Sequence, residues 1–260
     1  MLEGFVSTVL TASDGTSISA GHLPREGDLC LVVAHGFTGQ WRSEKIEKVV
    51  RVLSQYAGLV VLDMRGHGES GGVTTIGHKE IQDVSAAVAW ARELGYRHVV
   101  TIGFSMGGAV VLRQAAFPEG EADRVDAVVA VSAPAFWYYR GTRIMRRMHQ
   151  VVASRLGRGY MRTRGTRIDG GGWPDPMPEP PVEAITRYPH LPVLIVHGDV
   201  DRYFPLEHPR SLNAAAIASG NDRVELWEIP GFGHAERAID DPTLERIAAW
   251  AREQIAAVDS

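Results

Sequence analysis

The chain has 260 residues, 45% hydrophobic and 22% charged, an ordinary globular composition that suits one large α/β domain or two small ones. A net charge of −4 argues against nucleic acid as a partner and against a polybasic membrane anchor. One cysteine, Cys30, excludes an intrachain disulfide, and its place in the apolar run Leu29–Ala34 reads as a buried small hydrophobe.

At the start, Met1-Leu2-Glu3-Gly4 carries an acid where a signal peptide would carry basic residues, and no apolar run approaches the ~20 residues needed to cross a bilayer. A soluble, cytoplasmic protein is the expectation. Phe5–Leu10 and Ser17–Leu23 alternate as strands around a turn at Asp14-Gly15. Apolar runs follow at Leu29–Ala34, Leu59–Asp63, Val99–Phe104, Val125–Val131, Pro192–His197 and Val224–Ile229. Helical patterns fill most gaps, at Ser43–Tyr56, Gly77–Leu94, Met106–Phe117, Glu207–Ser219 and Asp240–Ala257. Continuous apolar strands separated by helices imply a mostly parallel sheet of eight strands, covered on both faces.

The gap between Val131 and Pro192 is far longer than a crossover requires. The expected organisation is therefore a core of residues 1–134 and 191–260 with a lid insertion, 135–190, after the sixth strand. Gly170–Pro181 reads as a loop inside it. Phe136-Trp137-Tyr138-Tyr139 opens the insertion, and Ile144, Met148, Val151 and Val152 share one face of a possible helix opposite Arg143, Arg146 and Arg147. Nine arginines and no acid lie between Arg140 and Arg167. They could attract an anionic substrate, such as an acyl-CoA or a phospholipid head group, or rest the lid on an anionic membrane. The plainer alternative is a solvated outer face over an apolar inner face that roofs a pocket, with Trp137, Met145 and Met148 lining it.

Gly103-Phe104-Ser105-Met106-Gly107 stands where a strand turns sharply into a helix. A serine hydroxyl is a weak nucleophile unless it is exposed on a tight turn beside a base and near oxyanion donors. The flanking glycines let neighbouring backbone pass close, and the helix opening at Met106 aims free N–H groups at developing negative charge. Of the ten histidines, His208 and His234 follow a plausible acid. His208 opens a helical stretch and reads as a surface residue. His234 lies in Pro230-Gly231-Phe232-Gly233-His234, a loop able to carry an imidazole over the sheet, and is the preferred base. Asp199 and Asp201 both leave the Pro192–His197 strand within reach of that imidazole. Asp201 is favoured as its partner, with Asp199 capping a turn. The histidines lack the paired spacing of a zinc site, and Gly36-Phe37-Thr38-Gly39 does not fit a dinucleotide fingerprint, so no metal or organic cofactor is expected.

These residues resemble the α/β-hydrolase fold serine esterases, in particular the bacterial carboxylesterase, cinnamoyl-esterase and monoacylglycerol-lipase-like branches. The landmarks are His35-Gly36-Phe37, Asp63-Met64-Arg65-Gly66-His67-Gly68-Glu69-Ser70, Gly103–Gly108, His197-Gly198-Asp199-Val200-Asp201 and Gly233-His234. The resemblance implies Ser105, Asp201 and His234 as the catalytic set and an oxyanion hole from the backbone N–H groups of Phe37 and Met106. It also implies that His35 and Gly36 shape a turn and that His67, Asp63 and Arg65 are structural. The implied activity is hydrolysis of a small acyl ester through an acyl-enzyme. A thioesterase, a lysophospholipase or monoacylglycerol lipase, a carbon–carbon bond hydrolase and a non-catalytic binding protein are the rivals.

Overall fold

The computed structural model describes residues 4–257, so the N-terminal reading of Met1–Glu3 lies outside the described residues. The strands are β1 (Val6–Thr11), β2 (Ser17–Leu23), β3 (Leu29–Ala34), β4 (Gly58–Leu62), β5 (His98–Phe104), β6 (Ala127–Val131), β7 (Val193–Gly198) and β8 (Val224–Ile229). They form one sheet in the order β1-β2-β4-β3-β5-β6-β7-β8. β1 and β2 pair antiparallel, as do β2 and β4, and all other neighbours are parallel. This is the mostly parallel, eight-stranded α/β arrangement that the apolar runs imply.

The central strands are continuous hydrophobic runs because both faces are covered. Along β3 the side chains alternate between two cores: Cys30, Val32 and Ala34 pack into one, Leu31 and Val33 into the other. Cys30 is fully buried, and burial pushes its thiol up to about 12. Helices α1 (Glu44–Leu53) and α9 (Asp241–Ala256) supply Ile46, Val49, Leu53, Leu244 and Ile247 to the core on one face. α2 (Glu80–Glu93), α3 (Met106–Ala116) and α7 (Glu207–Ala218) cover the other, through residues such as Val84, Val110 and Leu212. β1 and β8, at the sheet edges, show the partial exposure of strands with one open side.

α2 begins three residues later than its apolar pattern suggests. Glu80 turns back to accept hydrogen bonds from the N–H groups of Thr75 (2.8 Å) and Gly77 (2.9 Å), which holds 75–77 in a loop ahead of the helix.

Between β6 and β7 the chain leaves the sheet and forms α4 (Arg143–Ala153), α5 (Arg155–Thr163) and the single turn α6 (Pro181–Ala184). The turn α8 (Ala235–Ala238) follows β8. α4 has the two faces expected: Arg143, Arg146 and Arg147 are exposed, while Ile144, Met148, Val151 and Val152 are half-buried. The excursion is fastened to the segment after β4. Thr166 bridges His67 and Ile168 bridges Thr74, through Arg167 N–H to Gly66 O (2.7 Å), Thr74 N–H to Arg167 O (2.7 Å) and Asp169 N–H to Thr74 O (2.9 Å). Among the described residues, no helix is long and apolar enough to cross a membrane.

Candidate active site

Parallel register brings the chemistry to one edge. Phe104 pairs with Val131, and Gly198 pairs with Ile229. The turns after β5, β7 and β8 therefore open side by side at the carboxyl ends of the strands.

After β5 the chain enters α3 through Ser105, whose φ of 53° and ψ of −114° place it in a region that L-residues avoid. Only small neighbours permit this turn. A Cβ on Gly103 would lie 2.2 Å from Gly107 O, and one on Gly107 would lie 2.4 Å from Ala34 O. The turn is held by Ser105 N–H donating to Val131 O at 2.8 Å.

The Ser105 hydroxyl lies 2.9 Å from His234 Nε2, and His234 Nδ1 lies 2.7 Å from Asp201 Oδ2. The Asp201 side chain is fully buried, while that of His234 keeps 17% exposure. Asp201 is held by its other oxygen: Oδ1 accepts the N–H groups of Tyr203 (2.7 Å) and Phe204 (3.1 Å). With that carboxylate as acceptor, Nδ1 carries the proton and Nε2 presents its lone pair to the hydroxyl. Asp199 does different work. Its Oδ1 accepts Gly231 N–H at 2.7 Å and so fastens the glycine loop to the β7 turn. Close packing completes that attachment, since a Cβ on Gly198 would lie 1.9 Å from Phe232 O.

Phe37 and Met106, the two residues named for backbone donors, border the same cavity as Ser105. Among the described residues neither N–H donates to a protein acceptor. A Cβ on Gly36 would lie 3.3 Å from Ser105 Cβ, so the Gly36-Phe37 segment passes directly over the serine. His35 holds that segment: its Nδ1–H donates to Gly36 O (2.7 Å) and its Nε2 accepts Met64 N–H (3.0 Å). His67 packs edge-on against both His35 and Phe37. Burial, reinforced by His35, lowers its pKa to about 3, which keeps it neutral. Asp63 accepts from Trp41 N–H (2.7 Å) and Glu69 N–H (3.0 Å), and Arg65 is paired with the buried Asp83.

The cavity above Ser105 measures about 460 Å³. Trp137, Met145 and Met148 line it together with Tyr138, Trp173 and Tyr203. Trp137 is fixed by its indole N–H, which donates to Pro178 O at 2.8 Å, and by Trp173 at 4.7 Å between ring centres. Of the arginines in the excursion, Arg140 and Arg158 reach the cavity wall. Arg146 bends back to the carbonyls of Arg140 and Gly141, and Arg167 to those of Ser70 and Gly72.

His208 is not the surface residue its helix-start position suggests. It is fully buried, its Nδ1 accepts Ala135 N–H at 3.0 Å, and Tyr139 stands edge-on to its ring at 4.4 Å. The first turn of α7 faces the excursion rather than solvent, and burial together with the nearby His197 lowers the His208 pKa to about 4.

Four contacts at the site have no signature in the sequence patterns. Tyr203 stacks on the His234 ring at 4.2 Å. His197 donates from Nε2 to Phe204 O (2.8 Å) with Asp201 Oδ2 3.4 Å away. Ser132, itself at φ 52°, accepts Ala235 N–H at 3.0 Å, just past His234. Glu236 borders the cavity beside Gly36.

Comparison with known proteins agrees with this architecture. Residues 30–143 match the alpha/beta hydrolase fold family. The esterase LipC of Mycobacterium tuberculosis is 29% identical over 196 residues, 66% of this chain. The chain spans 45% of LipC's own length. Among solved structures, the Pyrococcus furiosus esterase Pf2001 is 22% identical with a TM-score of 0.76, covering 96% of this chain and 90% of that one. Est1E from Butyrivibrio proteoclasticus, solved with ferulic acid bound, is 24% identical with a TM-score of 0.66, covering 96% of this chain and all of its own. In strand order, in the turn at Ser105 and in these likenesses, the chain has the α/β-hydrolase fold.

Proposed function

We propose that this protein hydrolyses carboxylic esters of small molecules through an acyl-enzyme, with Ser105 as nucleophile, His234 as base and Asp201 as the acid that orients it. The observation that carries this reading is the unbroken hydrogen-bonded chain from Ser105 Oγ through His234 to Asp201, at 2.9 and 2.7 Å. In this scheme His234 Nε2 takes the serine proton as Oγ attacks the ester carbonyl, then returns it to the leaving alcohol. Water activated by the same imidazole releases the acid. The N–H groups of Phe37 and Met106 face the developing oxyanion, and each donor contributes on the order of 10²–10³ in rate. Both the esterase named among its relatives and those named among its structural neighbours support the ester as substrate.

Residues 135–190 serve as the lid of the site over the core formed by 1–134 and 191–260. Trp137, Met145 and Met148 form the apolar roof of the acyl pocket, with the exposed arginines of α4 turned away from it. A fluorophosphonate probe with peptide mapping tests the nucleophile. Label on Ser105, and loss of p-nitrophenyl ester turnover in Ser105→Ala at an unchanged melting temperature, are the expected results. Label on another residue, or turnover retained by the variant, refutes the assignment.

A further inference from the structure

α5 presents an apolar pair to solvent in the most basic part of the chain. Leu156 is 88% exposed and Tyr160 62% exposed. One helical turn apart, they share a face, while Met161 on the other side of the helix is buried. Arg158 borders the cavity and folds its guanidinium onto Val152 O and Ala153 O, so α5 has one side on the cavity and another on open solvent.

Around this pair, positive charge is left unneutralised. No acid occurs from Arg140 to Arg167, although the whole chain carries −4. Among the described residues, Arg143, Arg147, Arg155, Arg162 and Arg164 have neither a carboxylate partner nor a hydrogen bond from the side chain. Elsewhere arginines do find carboxylates, as Arg51 does with Asp241 and Arg210 with Glu228.

From these observations we infer that α5 and the arginines around it dock on an anionic phospholipid surface, with Leu156 and Tyr160 entering the headgroup region. Guanidinium groups attract anionic lipid, and a Leu–Tyr pair supplies the apolar area that short-range insertion needs. A nucleic acid would engage the arginines but give Leu156 nothing to bury. A second copy of the chain meeting this face symmetrically would set arginine against arginine. Docking through α5 places the cavity beside the lipid layer, a position suited to substrates carried by a membrane. The surface itself does not depend on the ester-hydrolysis reading, and binding is measured on protein lacking the Ser105 hydroxyl, so the two ideas fail separately.

The test is co-sedimentation of Ser105→Ala protein with vesicles of phosphatidylcholine alone and of phosphatidylcholine mixed with phosphatidylglycerol. Binding to the mixed vesicles and not to the neutral ones, falling as salt rises, is expected. Arg155→Glu with Arg162→Glu should weaken it by at least about tenfold, and Leu156→Ser with Tyr160→Ser by a similar factor. Placed in protein with Ser105 intact, both pairs should leave the melting temperature and hydrolysis of a soluble short-chain ester unchanged. The proposal is overturned by no binding to mixed vesicles at low salt, by equal binding to neutral vesicles, or by undiminished binding in both double variants. A dimer in solution that Leu156→Ser dissociates, or an RNA homopolymer bound more tightly than the mixed vesicles, also overturns it.

Discussion

Replacing Asp201 by asparagine isolates the role of one proton. In the wild-type site Oδ1 is occupied by two backbone donors, Tyr203 N–H and Phe204 N–H, and Oδ2 receives His234 Nδ1–H. Asparagine must satisfy the two backbone donors with its carbonyl oxygen, which leaves its NH₂ group facing His234 Nδ1. The imidazole can accept that hydrogen bond only by moving its proton to Nε2, and Nε2 then has no lone pair for the Ser105 hydroxyl. Serine-hydrolase triads that suffer this tautomer reversal lose about 10⁴ in kcat, equivalent to about 5.5 kcal/mol of activation free energy. The fold should persist, because the side chain keeps its size and the Oδ1 bonds are retained. Steady-state turnover of p-nitrophenyl acetate, with thermal melting of the same samples, gives both readouts. Asp199→Asn is the control: its carbonyl still accepts Gly231 N–H, so a loss of only a few-fold is expected. A loss under tenfold for Asp201→Asn, or a larger loss for Asp199→Asn, would refute the assignment of the acid.

Further substitutions probe the frame around the site. Ser132→Ala strands the Ala235 N–H without its acceptor, so kcat should fall with a stability loss of roughly 1–3 kcal/mol, read by kinetics and denaturant melts; unchanged kinetics would remove Ser132 from the positioning of His234. Gly198→Ala drives a methyl group into Phe232 O and should cost roughly 2–3 kcal/mol or more, measured by urea unfolding. Stability should also fall in mild acid. His67 and His208 have folded pKa values lowered to about 3 and about 4, so between those values and the unfolded value near 6.5 the unfolded chain binds more protons. The stability they preserve at neutral pH is lost as pH drops through that window, at about 2 kcal/mol for each histidine at pH 5. Thermal melts at pH 8 and pH 5 read the effect, and equal melting temperatures would contradict it.

Much of this arrangement could be read before any coordinates because it rests on local rules. Val99–Phe104 followed by a glycine-spaced serine allows little besides a sharp strand-to-helix turn. The order of apolar runs places the loops bearing Asp201 and His234 at the same sheet edge. Choosing between Asp199 and Asp201 needed more, since both leave β7 and only the fold shows which carboxylate meets Gly231 and which meets the imidazole. α5 has no clear helical signature in the sequence because Gly157 and Gly159 lower its helix propensity. Gly157 is there because a Cβ would lie 2.1 Å from Val151 O where α4 gives way to α5. The burial of His208 and the stacking of Tyr203 on His234 come from tertiary packing across distant segments, for which one-dimensional periodicity carries no signal.

The bridges joining Thr166 to His67 and Ile168 to Thr74 limit how the cavity can change size. That seam shares backbone with the loop beneath the Gly36-Phe37 segment, so pulling it apart would disturb the ground on which His35 and His67 hold the serine's cover. Among the described residues, the stretch from Gly141 to Gly165 that carries α4 and α5 has no backbone–backbone hydrogen bond to the core, so widening the cavity on that side leaves the seam intact. The wall formed by Gly36 and Phe37 then keeps its place while the α4–α5 side gives room.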